Sequence, residues 1–263
     1  DEGLNITYLR SDRVALDNIQ PVIGGIEDDQ IRFEARIATD HIKTSDQYGV
    51  DIKNILALFD VKPADIRDCI ISSVVPPVFN SVRTGVMKVI GRPPMVVGPG
   101  VRTGLNIRLA VQSQVGADIV ADAVAALEKF EPPIVTIDMG TATTISVLDA
   151  QGAFRGGAIL PGANLALSAL AGGTALLPDI PLAVPEKAIG TDTLGCMQSG
   201  CVLGSALLLD GMIDRMESEL GCRATVVATG GIAPVIAPAC RHEMHMAADL
   251  ILRGLAVLYE QNK

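Results

Sequence analysis

The run Val135-Thr136-Ile137-Asp138-Met139-Gly140-Thr141-Ala142-Thr143-Thr144 constrains this chain more than any other segment. Apolar and β-branched residues lead into a carboxylate, a glycine and then four small residues, three of them threonine. The pattern predicts a buried strand that ends in a tight turn and returns as a second strand. Two uses fit it. Asp and Thr suit turns for local reasons, because their side chains bond nearby backbone groups. Alternatively, a glycine lets backbone N–H groups approach a ligand closely, and threonine hydroxyls add short donors. With the Asp138 carboxylate, such groups can hold phosphate oxygens and a cation. The segment alone leaves both readings open.

Composition narrows the architecture. Of the 263 residues 49% are hydrophobic but only 3% aromatic, with no Trp, so the core must be built from Val, Ile, Leu and Ala. That favours layered α/β structure over a sandwich. The net charge is −9 without a long basic run, which argues against nucleic acid as a partner. An acidic chain that binds phosphates must do so with local amides, hydroxyls and a metal. The five cysteines are odd in number and lack CxxC spacing, as expected of reduced cytosolic thiols. His242 and His245 lie three apart, but neither they nor His41 has a third metal ligand nearby at a known spacing. The N-terminus lacks the apolar core of a signal peptide, and no stretch reaches the roughly 18 apolar residues of a spanning helix. A cytoplasmic protein with no membrane partner is the expectation.

Strand-like and helix-like runs alternate. Residues 22–26 and 31–37 read as antiparallel strands joined by a polar turn, and residues 143–148 and 154 onward repeat the meander after the strand at 134–138. Further strands are expected at 69–75, 95–97 and 225–228. Helices are expected at 45–59, 77–90, 117–130, 163–176, 193–220 (one interrupted helix) and 246–261. This gives two α/β halves, residues 1–114 and 115–263, the second closed by a C-terminal helix.

Four small-residue turns recur where open α/β sheets place ligands, beyond the carboxyl ends of strands. They are residues 99–104, 138–144, 156–162 and 229–231. None spells the G-x-x-x-x-G-K-[ST] phosphate loop, and no G-x-G-x-x-G follows a first strand, so neither a P-loop nor a dinucleotide fold is indicated. Gly116-Ala117-Asp118 opens the Ala-rich helix. An Asp there is stabilised by the helix dipole and needs no further role. It can also act as a general base toward a substrate hydroxyl, which with positioning and charge neutralisation is most of what phosphoryl transfer requires.

Taken in order, these motifs resemble type III pantothenate kinases. The shared blocks are Pro99-Gly100-Val101-x-Thr103-Gly104, Gly116-Ala117-Asp118, Asp138-x-Gly140-Thr141-Ala142-Thr143-Thr144, Gly156-Gly157-x-Ile159-x-Pro161-Gly162 and Thr229-Gly230-Gly231. Arg36-Ile37-x-Thr39, Thr44-x-Asp46-x-Tyr48 and Gln198-Ser199-Gly200 agree as well. The resemblance implies an actin-like fold of two ribonuclease-H-like domains, each a mixed five-stranded sheet flanked by helices, and a homodimer. It implies transfer of the ATP γ-phosphate to pantothenate, the first step towards coenzyme A, with Mg2+ and a monovalent cation (K+ or NH4+). By position Asp118 would be the proton acceptor. Gly116, Ala117, Ile119, Leu109 and Thr193 would meet substrate, Thr193 from the partner subunit. Asp138 would hold the monovalent cation. Thr141, Gly140, Gly156, Gly157 and Gly230 would line the nucleotide.

The chain departs from the family pattern in three places. Ile119 stands where the family has Arg, and Leu109 where it has Tyr. The family's first strand ends in D-x-G-N-T, a loop that holds ATP phosphates. Ungapped alignment gives Ala15-Leu16-Asp17-Asn18-Ile19 here, with Asn18 retained and Asp17 in the place of Gly. With a gap, Asp17 supplies the metal carboxylate. Asp1-Glu2-Gly3 with Asn5 and Thr7 is only a spaced echo of the motif. The changed loop makes a weakened catalyst, serving as a pantothenate- or nucleotide-binding or transcription-accessory protein, the alternative to an active kinase.

Overall fold

The computed structural model describes residues 4–7, 22–28, 30–37, 40–72, 76–111 and 115–263. They form two compact units: Asp1–Gly104, Ser113–Ala125 and Ile251–Lys263 make the first, and Leu105–Gln112 and Ala126–Leu250 the second. The chain therefore passes between units more than once. The strands of the two sheets fall before and after residue 114, but residues 117–125 and the C-terminal helix group with the first sheet.

In the first unit, β1 (Leu4–Thr7), β2 (Val22–Glu27) and β3 (Gln30–Arg36) form an antiparallel meander. Strands β4 (Ile66–Ile71) and β5 (Met95–Val96) continue the sheet in parallel, giving the order β3-β2-β1-β4-β5. The sequence reading gave no strand at Leu4–Thr7, which is short and set among polar residues; here it is central. Asp17 and Asn18 fall between β1 and β2, outside the described residues.

Helices α1 (Ser45–Leu58) and α2 (Pro76–Ile90) pack closely because Gly85 lies against the Ser45 carbonyl; a methyl there would approach that oxygen to 2.8 Å. A Thr44/Gln47 capping box starts α1. Helix α3 (Ala117–Lys129) is held against α8 (Leu250–Glu260) by Gly254, which leaves no room for a side chain over the Ala121 backbone. That contact fixes the first turns of α3, where Asp118 lies.

The second unit repeats the topology. Strands β6 (Ile134–Met139), β7 (Ala142–Leu148) and β8 (Phe154–Pro161) form the meander, and β9 (Thr225–Thr229) and β10 (His245–Met246) run parallel to β6. The order β10-β9-β6-β7-β8 matches that of the first sheet, element for element. Strand β6 is buried along its whole length, as its β-branched composition predicts for a central strand. Its Val135, Ile137 and Met139 join Val202, Ala206, Leu209 and Ile213 in an aliphatic core.

The last four come from a continuous helical run. Helix α5 (Thr193–Gln198) passes through a π-helical turn, Ser199–Leu203, into α6 (Gly204–Leu220). Contrary to the expectation from sequence, this run is long and apolar enough to cross a membrane by length and composition. Its buried side chains nonetheless sit in the core of the second unit, and Asp210 and Glu217 are buried with them. Helices α4 (Ala163–Gly173) and α7 (Ala233–Ile236) complete the unit.

Candidate active site

In the first unit, Asp118 occupies the first turn of α3, which Gly116 begins by accepting the Val120 N–H through its carbonyl (3.1 Å). The carboxylate folds back: Oδ1 accepts the N–H of Ile119 at 2.8 Å and fills the space a Gly116 side chain would need. Only glycine at 116 permits this rotamer. Ala117 and Ile119 flank Asp118 and are half-buried with it.

In the second unit, the turn after β6 is built by close backbone approach. Register places Asp138 directly opposite Thr144 on β7 and Thr229 on β9. Directly opposed residues share a sheet face, so the buried carboxylate lies between two threonines. Thr136 and Ser146, also buried, share that face. The opposite face carries Ile137 and Met139 into the core. Gly140 donates to the Ala142 carbonyl at 3.0 Å, closing the turn at Thr141.

Two further glycines pack against it. Gly230 has φ +95° and sits over the Met139 carbonyl and the Asp138 carboxylate. Gly162 begins α4 and donates to the Thr141 carbonyl at 2.9 Å, with no room for a Cβ. The N-terminus of α4, with its N–H groups, is thus laid beside the turn. Asp138, Gly140, Thr141 and Gly230 are brought together at one end of the sheet. The oxygen set of Asp138 and its threonine neighbours suits a hard cation, and the turn amides suit an anion.

Gly156 and Gly157 are placed otherwise. The segment 156–162 is not a turn: β8 runs through it, and only Gly162 reaches the 140–141 turn. Gly156 pairs with Val147 at a register shift and Gly157 with Ser146, about 13 Å along the hairpin from the Ala142–Pro161 pair at ~3.3 Å per residue. Gly156, with φ +112°, accommodates Leu109, whose segment bonds to the edge of β8 through Arg108 and Phe154 (2.9 Å). Leu109 is therefore a neighbour of Gly156 in the second unit.

Thr193 lines an open groove of about 610 Å³ in the second unit, with Gly190, Thr191, Asp192, Cys196 and Met197. Asp192 caps α5, accepting the Gly195 N–H at 2.7 Å, and so fixes Thr193 at the helix start. Burial pushes the pKa of Cys201, which also lines the groove, upward and so disfavours its thiolate.

Sequence reasoning missed one cluster. Asp210, Asp214 and Glu217 of α6 surround His242, with Nδ1 2.8 Å from Asp210 and Nε2 3.2 Å from Asp214. The only signal in sequence is the spacing of the three acids on one helix face.

Comparison with known proteins identifies the family. A model of the type III pantothenate kinase family matches residues 16–215. The type III pantothenate kinase of Exiguobacterium sibiricum is 39% identical over 92% of this chain and 96% of its own length. That of Anaeromyxobacter dehalogenans is 37% identical over 94% of this chain and 97% of its own. Among solved structures, a protein described as a Baf family transcriptional activator from Campylobacter jejuni superposes with a TM-score of 0.58 at 16% identity, covering 97% of this chain and 98% of its own. Component A of (R)-2-hydroxyglutaryl-CoA dehydratase from Acidaminococcus fermentans gives 0.57 at 14% identity, covering 97% and 96%. These two similarities are of fold, and the fold is actin-like α/β. By sequence, the chain belongs to the type III pantothenate kinase family.

Proposed function

We propose that this chain is a pantothenate kinase, transferring the γ-phosphate of ATP to the primary hydroxyl of pantothenate and yielding 4'-phosphopantothenate for coenzyme A biosynthesis. The observation that supports it best is the Asp118 carboxylate, seated over side-chain-free Gly116 at the start of α3. A carboxylate so held can accept the hydroxyl proton as the oxygen attacks phosphorus and ADP departs. The transition state for such transfer is loose and asks mainly for positioning and charge neutralisation. The amides and hydroxyl of Gly140 and Thr141 serve phosphate oxygens in this reading, and Gly116, Ala117, Ile119 and Leu109 meet the substrate.

Asp138, between Thr144 and Thr229, is the residue for K+ or NH4+; its oxygen surroundings fit such an ion. Mg2+ accompanies ATP and neutralises its phosphates. The carboxylate that would assist it, Asp17, and the phosphate-loop residue Asn18 lie outside the described residues, and Gly230 completes the nucleotide set. The protein works as a homodimer in which Thr193 reaches the partner's substrate. Exposed Leu170, Leu176, Val184, Ile189, Leu194, Leu207 and Leu208 all fall within residues 170–208, the apolar surface expected of an interface.

The test is an ATP-dependent pantothenate phosphorylation assay with Mg2+ and K+. Wild-type turnover, reduced about 10²–10⁴-fold in Asp118→Asn with unchanged thermal unfolding, is expected of a general base. Pantothenate binding without wild-type turnover would overturn the proposal, as would turnover on another hydroxy acid alone. A monomeric mass by light scattering at micromolar concentration would refute the dimer.

A further inference from the structure

The cluster around His242 uses none of the residues assigned to phosphoryl transfer. Asp210, Asp214 and Glu217 lie on one face of α6, at spacings of four and three. His242, between α7 and β10, is laid over that face. Asp210 accepts the backbone N–H groups of Arg241 (2.8 Å) and His242 (3.0 Å), and its Oδ1 lies 2.8 Å from His242 Nδ1. An ionised carboxylate only accepts, so in this contact Nδ1 carries the proton.

With Nδ1 on Asp210, Nε2 is the ring nitrogen turned toward Asp214. The imidazole side chain is 9% exposed, and Nε2 makes no hydrogen bond, although Asp214 Oδ1 is 3.2 Å away. A cation can join two such atoms, either a proton on Nε2 or a metal ion bound by both. Glu217 supplies a third acceptor: one ligand atom from each of Asp214, Glu217 and His242 lies within 4.8 Å of the others, the one such grouping of three among the described residues.

Ligand atoms bonded at about 2.0–2.2 Å to a small divalent ion sit roughly 3.0–3.5 Å apart when adjacent. The Asp214–His242 pair already has that spacing, and a Glu217 oxygen lies within 4.8 Å of both. Arg241 binds Asp214 Oδ2 at 2.6 Å, and Arg223 binds Glu217 Oε2 at 2.8 Å while Ala224 N–H donates to Oε1. Three carboxylates against two arginines leave one net negative charge before the imidazole is counted. Each carboxylate oxygen keeps a second lone pair for an ion. Asp214 is half-exposed, which gives an ion its route in and water its place in the shell.

We propose that His242 Nε2, Asp214 and Glu217 bind one divalent first-row transition-metal ion, for which zinc is the best match to a nitrogen-and-oxygen set completed by water. Asp210 is the outer carboxylate that orients the histidine, an arrangement general to metal-bound imidazole. The ion fastens the segment carrying His242 to α6 and takes no part in phosphate chemistry.

The test is zinc binding to chelator-treated full-length protein, read by metal analysis after gel filtration, by the thermal unfolding midpoint and by zinc-edge X-ray absorption. One zinc per chain, a raised midpoint and a shell of nitrogen and oxygen without sulfur are expected. Asp214→Asn, at a half-exposed position, and Glu217→Gln should each weaken binding at least ~10-fold. Metal-free Asp214→Asn should unfold near the metal-free wild-type midpoint, which separates ligand loss from misfolding. No retained zinc, a sulfur shell from the free cysteines, or equal affinity in wild type and both variants would overturn the site.

Discussion

The Asp138 carboxylate occupies the space a side chain on Gly230 would need: a methyl group there would lie 2.6 Å from Asp138 Oδ1 and closer still to the Met139 carbonyl. The turn after β9 and the end of β6 are thus fitted to each other through one missing side chain. Gly230→Ala must move backbone as well as the carboxylate, and at φ +95° alanine is itself strained. A stability loss of about 2 kcal/mol or more is expected. The loss should come with weaker potassium activation. Denaturant unfolding and a potassium titration read the two effects, and an unperturbed variant would show that the fit does not matter.

Asp138→Asn separates charge from shape. The amide keeps the volume beside Thr144 and Thr229 but removes the charge that suits a cation. Turnover and monovalent-cation dependence should fall together, while the unfolding midpoint stays within a few degrees. Potassium activation identical to wild type in a less active variant would remove Asp138 from the cation site.

Gly116→Ala tests the seating of Asp118 without touching its charge. The added methyl collides with Oδ1 and forces another rotamer. A misplacement of about an ångström in a reacting group can cost ~10²-fold. The expected result is a kcat lowered ~10–100-fold with KM for ATP little changed. A wild-type kcat would mean that the observed rotamer is not the working one.

Much of this was legible in the sequence, for physical reasons. The β-branched run before Asp138 and the regular helical spacing in 45–59 and 117–130 each carry a strong local signal, and the elements stand where those signals put them. The ordered motifs led to the family. Three features were not legible. Strand β1 is four residues set among polar neighbours, and only its pairing with β2 and β4 defines it. Gly156 and Gly157 look like a turn in sequence but lie in β8, because a register shift and a positive φ place them inside a strand. The His242 cluster joins residues up to 32 positions apart, beyond any local period.

Asp149 closes the β7–β8 hairpin and should leave a pH signature. Its Oδ1 accepts N–H groups from Gln151 and Ala153 at 3.0 Å each, and Arg155 lies 3.3 Å from Oδ2. Burial alone pushes this carboxyl up, but the two N–H donors and the guanidinium outweigh it and hold the pKa below the ordinary value. A carboxylate whose pKa is depressed by folding stabilises the native state above its unfolded pKa, about 3.9. That contribution is lost as pH falls through the depressed native value, so the loss lies below about pH 4. Asp149→Asn keeps an acceptor oxygen for both N–H groups but cannot titrate. It should be less stable than wild type by about 1–2 kcal/mol at pH 7, the difference between charged and neutral hydrogen bonds, and the gap should close as pH approaches 3. Urea unfolding at the two pH values measures it, and parallel acid dependence in both proteins would exclude Asp149 as a source of acid sensitivity.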